Sequence, residues 1–256
     1  MDALENAELR MTPALEIRGL KKSFGGLPAI NDVALNVMPG ERRLIIGPNG
    51  AGKTTLFNLI TGDLKRDAGT IHLFGEEVQR MQPHARTHRG LARTYQIITL
   101  FARDTLEHNV ALALLGMTKA RWNMFAPLAG HQHLYGEARA VLARVGLEDL
   151  AARPLSAVSY GEKRRVEIAM ALAQKPKVLL LDEPLAGLSR EERGSISQLI
   201  AEIPRETTVV MIEHDMDTAL DLAENITVLH YGSVIVEGTR SAVVADPKTR
   251  EVYLGN

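Results

Sequence analysis

"GPNGAGKTT", residues 47–55, joins the aliphatic run "LII" (44–46) to the apolar run "LFNLI" (56–60). It has the spacing G-x-x-x-x-G-K-[ST], with Gly47, Gly52, Lys53 and Thr54 in the fixed places. Glycines let the main chain close its N–H groups around phosphate oxygens. Lys53 supplies a point charge for the β- and γ-phosphates, Thr54 a hydroxyl for Mg2+, and the helix start a positive dipole. An ordinary glycine-rich turn is the bland alternative, but a strand before and a helix after favour a phosphate loop. The expected triphosphate-binding residues are Gly47, Pro48, Asn49, Gly50, Ala51, Gly52, Lys53, Thr54 and Thr55.

A phosphate loop changes the weight of "KVLLLDEP" (177–184), a buried-type strand that ends in two carboxylates and a proline. Alone, this is a parallel strand with an acidic end. Beside a Mg·ATP site, a carboxylate at a strand end near Thr54 has work to do, and Asp182 is the expected metal-side group. Glu183 is placed to orient or deprotonate the attacking water. His214, in "MIEHDM", follows a second apolar strand, "TVVMI" (208–212). Its position alone leaves a γ-phosphate contact and a solvated side chain in balance. Gln96, in "ARTYQIITLF", reads by itself as a polar loop residue, and Phe24, in "KKSFGG", as either a base-stacking ring or a hairpin core residue. Ser189 opens "SREE" and fits a capping box with Glu192.

Around these motifs the pattern is α/β. The runs "ALEIRGL" (14–20), "VALNV" (33–37) and "RRLIIG" (42–47) predict strands, and "GTIHLFGEEV" (69–78) a hairpin turning near Gly75. A helix over 160–174, a strand over 177–182, a helix over 190–202 and a strand over 207–212 predict a parallel sheet, with ligands at the carboxyl ends of its strands. The irregular middle, 97–158, reads as an inserted helical subdomain. Within it "TKARWNMFAPLAGHQHLYG" (118–136) predicts a loop or broken helix.

Composition narrows the class. The 256 residues are 45% hydrophobic, enough for one large domain. With 30 basic and 31 acidic side chains, nothing demands a nucleic-acid partner. There is no cysteine, hence no disulfide or thiolate metal site. The acidic start does not read as a secretory signal, and no apolar run approaches membrane-spanning length.

"VSYGEKRR" (158–165) poses a puzzle of charge placement. A helix starting here would carry Lys163, Arg164 and Arg165 in its first turn, at the positive end of its dipole. Val166, Ala169, Met170 and Ala173 share one face, so the helix is amphipathic, about 22 Å long at 1.5 Å per residue. It delivers the chain to the near end of the 177–182 strand, leaving Ser159 remote from its own phosphate loop. Free N–H groups, the Ser159 hydroxyl and the cations then form an anion site, with a solvated cap as the plain alternative.

Taken together, Gly47–Thr55, Gln96, Ser159–Glu162, Asp182–Glu183 and His214 resemble the ATP-binding cassette ATPases in order and spacing, from Leu15 to about Gly238. The resemblance implies a P-loop NTPase core, a mostly parallel sheet with helices on both faces, carrying an N-terminal antiparallel β subdomain and the inserted helical subdomain. The implied bounds are one domain over 15–254, with its core at 15–96 and 159–238 and a tail at 239–256. It implies a head-to-tail dimer around two Mg-ATP. Phe24 would lie on the adenine, Thr54, Gln96 and Asp182 near Mg2+, Glu183 as base and His214 on the γ-phosphate. Ser159, Tyr160, Gly161 and Glu162 would face the ATP of the partner subunit. Tyr160 stands where the family commonly has a second glycine, Glu162 where glutamine is common, and Ser189 where many members have aspartate.

Finer features, "SFGGLPAINDV", "ARTYQ", "RRVEIAMAL", "IEHDM" and "REVYLGN", resemble the group serving uptake of branched-chain amino acids, amides and urea. That resemblance implies a peripheral ATPase on the cytoplasmic face of the inner membrane. Its partners would be a transmembrane permease, a second ATPase subunit, identical or related, and indirectly a periplasmic solute-binding protein. The alternatives are a lipid or lipopolysaccharide exporter and a soluble cassette ATPase. No N-K-x-D motif supports a GTPase.

Overall fold

A computed structural model describes residues 12–95, 100–123, 128–213 and 219–254. The chain opens with β1 (Leu15–Phe24) and β2 (Leu27–Val37), a hairpin turned by Gly25 and Gly26, both at positive φ. Next come β3 (Arg42–Ile46) and α1 (Lys53–Thr61), a helix bounded at both ends by left-handed glycines, Gly52 and Gly62. β4 (Ala68–Leu73) and β5 (Glu76–Glu77) form the hairpin expected around Gly75. α2 (Pro83–His88) leads into the short strand β6 (Leu91–Arg93).

The middle of the chain is helical among its described residues. α3 (Leu106–Gly116) is capped by the Thr105 hydroxyl, which accepts from His108 N. Single 3-10 turns at Lys119–Trp122 and Leu128–Gly130 lie in the stretch expected to be a loop or broken helix, and α4 (Gln132–Arg144) follows. Thereafter α5 (Tyr160–Ala173), β7 (Val178–Asp182), α6 (Arg190–Glu202) and β8 (Thr208–Ile212) alternate as the sequence predicts. β9 (Asn225–His230) and β10 (Ser233–Thr239), which the motifs did not indicate, complete the sheets.

Two sheets result. The antiparallel one has the order β2-β1-β4-β5, and the larger one the order β10-β9-β3-β8-β7-β6. In the larger sheet β9, β3, β8, β7 and β6 run parallel, and only β10 is antiparallel. β3, β7 and β8 are buried along their whole length, which is why β7 and β8 read as nearly continuous apolar runs and β3 as one after its buried Arg42 and Arg43.

The core divides accordingly. One cluster joins the antiparallel sheet and α1 to one face of the large sheet, through Leu20, Ile71, Phe57, Ile60 and Val210. A second covers the other face with α6, through Ile196, Ile200, Leu179 and Met211. A third holds α3 and α4 together through Leu106, Val110, Leu134, Ala138 and Leu142. Val166, Ala169 and Ala173 of α5 belong to this third cluster, while its Ile168 and Ala171 face the second. α5 is thus the wedge between the helical region and the α/β core. Beyond residue 239 the chain is helical, as α7 (Arg240–Ala245) and α8 (Pro247–Leu254). Val243 and Tyr253 pack on the second cluster, so this end is seated on the core.

Candidate functional site

Parallel register brings the motifs to one edge. Ile45 of β3 and Asp182 of β7 both pair with Ile212 of β8, so the three strands end level. The phosphate loop leaves β3 at this edge, the Asp182–Glu183 pair closes β7, and Glu213 follows β8. A cleft of about 310 Å³ opens there, lined by Ala29, Asn49 to Thr55 and Glu183.

The loop is a close-packed cradle. Gly47, Gly50 and Gly52 all have positive φ, and a Cβ on Gly52 would lie 2.5 Å from the Ala29 carbonyl oxygen. The buried Lys53 Nζ donates to the carbonyls of Gly47 at 2.6 Å and Pro48 at 3.1 Å, folding its ammonium back over the loop. Burial lowers the Lys53 pKa, and the nearby negative charges of Glu183 and Asp182 pull it back up. Behind the loop, the Tyr253 hydroxyl makes a hydrogen bond with the Gly47 backbone, and burial pushes its pKa up to about 12.

The carboxylates are held differently. Asp182 is 1% exposed; its Oδ2 accepts from Arg93 Nη2 at 2.7 Å, while its Oδ1 is buried without a hydrogen-bond partner. An unpartnered carboxylate oxygen whose negative charge acts on the Lys53 ammonium fits the oxygen ligand set that Mg2+ prefers. Glu183, buried, adopts φ 49°, a left-handed conformation that costs a non-glycine residue free energy and is concentrated at functional sites. Its N–H is fixed by the Ile212 carbonyl at 3.0 Å. Glu213 Oε1 accepts from Leu185 N at 2.7 Å, anchoring the turn after Glu183.

The Ser159 end shows how the opening of α5 is built. Ser159 and Glu162 form a reciprocal capping box: the hydroxyl accepts from Glu162 N, and Glu162 Oε2 accepts from Ser159 N at 2.6 Å. The expectation of three cations in the first turn is corrected, because the helix begins at Tyr160 and Glu162 closes that turn. Two of the cations are also engaged in packing contacts. Arg164 is fully buried against Glu167, and Arg165 donates to the Val145 carbonyl and the Ser195 hydroxyl. The charge puzzle thus dissolves into packing, with Lys163 the member of the trio given no such role among the described contacts.

A second capping box, Ser189 with Glu192, matches the sequence expectation. Glu192 Oε1 also accepts from Gly161 N at 3.2 Å, so the two boxes are joined. The Tyr160 ring lies against Gly187, with Cε1 3.3 Å from where a Cβ would stand. Phe24, the last residue of β1 before the Gly25–Gly26 turn, is 48% exposed, with Lys22 Nζ 5.5 Å from its ring, and is not a hairpin core residue. It lies outside the lining of the phosphate-loop cleft. Gln96 and His214 lie outside the described residues.

The sequence motifs passed over Arg93, the Arg164–Glu167 pair, Glu213 and Tyr253. Arg93 was signalled only by a cation in an otherwise apolar strand. Arg164 and Glu167 sat in an apparently solvated charged run, although an i, i+3 pair of opposite sign is a recognisable pattern.

Known proteins share this arrangement. The ABC transporter family model matches residues 30–186. The chain is 36% identical to the high-affinity branched-chain amino acid transport ATP-binding protein BraF of Pseudomonas aeruginosa, covering 95% of this chain and 98% of that one. It is equally 36% identical to LivG of Escherichia coli K12, with the same coverage. Among solved structures, the ADP conformation of an ATP-binding cassette of an ABC transporter superposes with TM-score 0.83 at 29% identity, covering 95% of this chain and 99% of that one. A dimeric cassette in a post-hydrolysis state bound to ADP and Pi superposes with TM-score 0.76 at 26% identity, over 88% and 98% of the two chains.

Proposed function

The chain belongs to the ABC transporter family and is an ATP-hydrolysing cassette that uses Mg-ATP, and from that premise we propose that it powers uptake of branched-chain amino acids or related small solutes through a membrane permease. The observation that carries the reading is the common strand edge, where the level ends of β3, β7 and β8 bring the phosphate loop and Glu183 around one cleft, with Asp182 closing β7 just before Glu183. The solute class rests on BraF and LivG, branched-chain amino acid transport proteins matched over nearly their whole length. No described helix is long and apolar enough to cross a membrane, which fits a peripheral subunit docked on a permease.

In this reading the loop N–H groups and Lys53 hold the β- and γ-phosphates. Thr54 and Asp182 hold Mg2+ together with Gln96, and the ion when bound neutralises charge on the transferring phosphoryl group. Glu183 orients the attacking water and takes its proton. Phe24 meets the adenine and His214 the γ-phosphate. Ser159, Tyr160, Gly161 and Glu162 close over the ATP of a second subunit, so each active site is completed by two chains.

The test is to replace Glu183 by glutamine and follow oligomeric state by light scattering with and without ATP. A dimer that persists with ATP and turns over slowly supports the reading; normal hydrolysis by that variant removes Glu183 as the base. Purification from membranes identifies the partner, and recovery solely in a soluble complex defeats the transport reading.

A further inference from the structure

The strongest group outside the assigned site is the guanidinium of Arg93. β6 runs parallel to β7 with Arg93 paired to Leu180, two residues short of Asp182. The Arg93 side chain is 4% exposed and reaches along the strand ends. Nη2 donates to Asp182 Oδ2 at 2.7 Å and Nη1 to Asn58 Oδ1 at 2.6 Å. The carboxylate of Asp63 stands 3.6 Å from Nη1. The Phe57 and Tyr95 rings lie against the fork at 5.5 and 4.8 Å from its central carbon. Phe57 and Asn58 belong to α1, the helix that opens at Lys53.

We infer that Arg93 is a positioning residue for the Mg2+ site: it ties β7 to α1 and fixes the Asp182 carboxylate so that Oδ1 is presented toward the metal. This inference rests on the ATPase reading above and deepens it. Two features of the geometry carry it. First, one carboxylate oxygen is satisfied by a charge-assisted bond while the other is buried and unpartnered, which is the state of a ligand aimed but not engaged. Second, a guanidinium can donate to two acceptors at once in a fixed plane, and here they sit on the two elements that frame the triphosphate. A lysine would supply the charge without the fork. A buried ion pair adds little net stability over an apolar pair of equal shape, so orientation is the better account of this one. Tyr95 extends the same fork to the segment that enters Gln96, and its hydroxyl donates to Asp63 Oδ2 at 3.3 Å.

The experiment uses the full chain with Arg93→Lys, Arg93→Met and Asn58→Ala. ATP affinity is measured in EDTA with a fluorescent nucleotide, and occupancy of the cation site by Mn2+ titration of the ATP complex, read by electron paramagnetic resonance. Arg93→Met is expected to leave ATP affinity in EDTA within about threefold and to raise the half-saturating Mn2+ concentration about tenfold, equivalent to about 1.4 kcal/mol. Arg93→Lys is expected to shift the midpoint in the same direction. A wild-type midpoint in Arg93→Lys overturns the inference, because charge alone then suffices. A lowered midpoint in Arg93→Met overturns it too, since the guanidinium would then be opposing the cation. Equal loss of ATP affinity with and without the ion marks a merely structural role. If Arg93→Met does not fold, Asn58→Ala frees one arm of the fork, and an unchanged midpoint there overturns the inference. Failure of the wild type to bind ATP at all defeats the ATPase reading itself, a separate outcome.

Discussion

Replacing Glu167 by glutamine isolates the energetics of a buried ion pair in α5. Arg164 Nη1 and Glu167 Oε2 are 2.7 Å apart, with side chains 1% and 6% exposed. Burial pushes the Glu167 carboxyl up from its ordinary 4.5 to about 7, and the charge and hydrogen bond of Arg164 pull the other way without cancelling it. The folded chain therefore holds this proton more tightly than the unfolded chain. The stabilisation is fully present below about pH 4.5, falls as pH rises, and is gone above about pH 7. Raising a carboxyl from 4.5 to about 7 corresponds to about 3 kcal/mol. Glutamine keeps the shape and can still accept from Arg164, but it does not ionise.

Urea unfolding of both proteins between about pH 5 and pH 8 gives the difference directly, free of every titration they share. The wild type is expected to lose about 2–3 kcal/mol relative to Glu167→Gln across that range, with no further change above it. A flat difference, or one in which the wild type gains as pH rises, refutes the reasoning. The pair would then behave as one in which attraction outweighs burial. Because Arg164 Nη1 also reaches the Tyr95 carbonyl, one residue before Gln96, the ATPase rate measured over the same pH series tests whether the pair steadies that segment.

Three other perturbations follow from the geometry. Gly52→Ala sets a Cβ 2.5 Å from the Ala29 carbonyl at φ 103°; it should cost about 1–3 kcal/mol of strain and lower both melting temperature and ATP affinity. Ser159→Ala removes the acceptor of Glu162 N and should cost about 1 kcal/mol in urea unfolding, while turnover falls and monomer ATP affinity is spared. Asn109→Ala strips three hydrogen bonds, two to Phe101 and one to Thr105, that tie the 101–105 segment to α3. Leaving those groups unpaired should cost about 2–3 kcal/mol by calorimetry.

How much could be read without coordinates depended on whether a feature was local. The phosphate loop was legible because its chemistry is written into nine consecutive residues with a strand before and a helix after. The capping box at Ser189 was legible for the same reason, since it spans four residues, whereas the box at Ser159 stood only as a plain cap beside the anion-site reading. β7 and β8 announced themselves as uninterrupted apolar runs because a parallel sheet buries both faces. β9 escaped notice because Asn225, Thr227 and His230 break its apolar run, and the helices after residue 239 escaped because only Val243 and Tyr253 mark their contact with the core.

By itself the sequence determined the class of core, the triphosphate loop, the acidic strand end and the family to which they belong. Those properties reside in residue type and near spacing, which the chain carries into any environment. The tertiary structure alone decided what each charged side chain does. Arg164 looked solvated and is buried against Glu167; Arg93 looked incidental and grips Asp182; Arg165 ties α5 to Val145 and Ser195. A charge acquires its role from the groups that replace its water, and those come from strands and helices dozens of residues away: Arg93 and Asp182 are separated by 89 positions in the chain and by 2.7 Å in the fold.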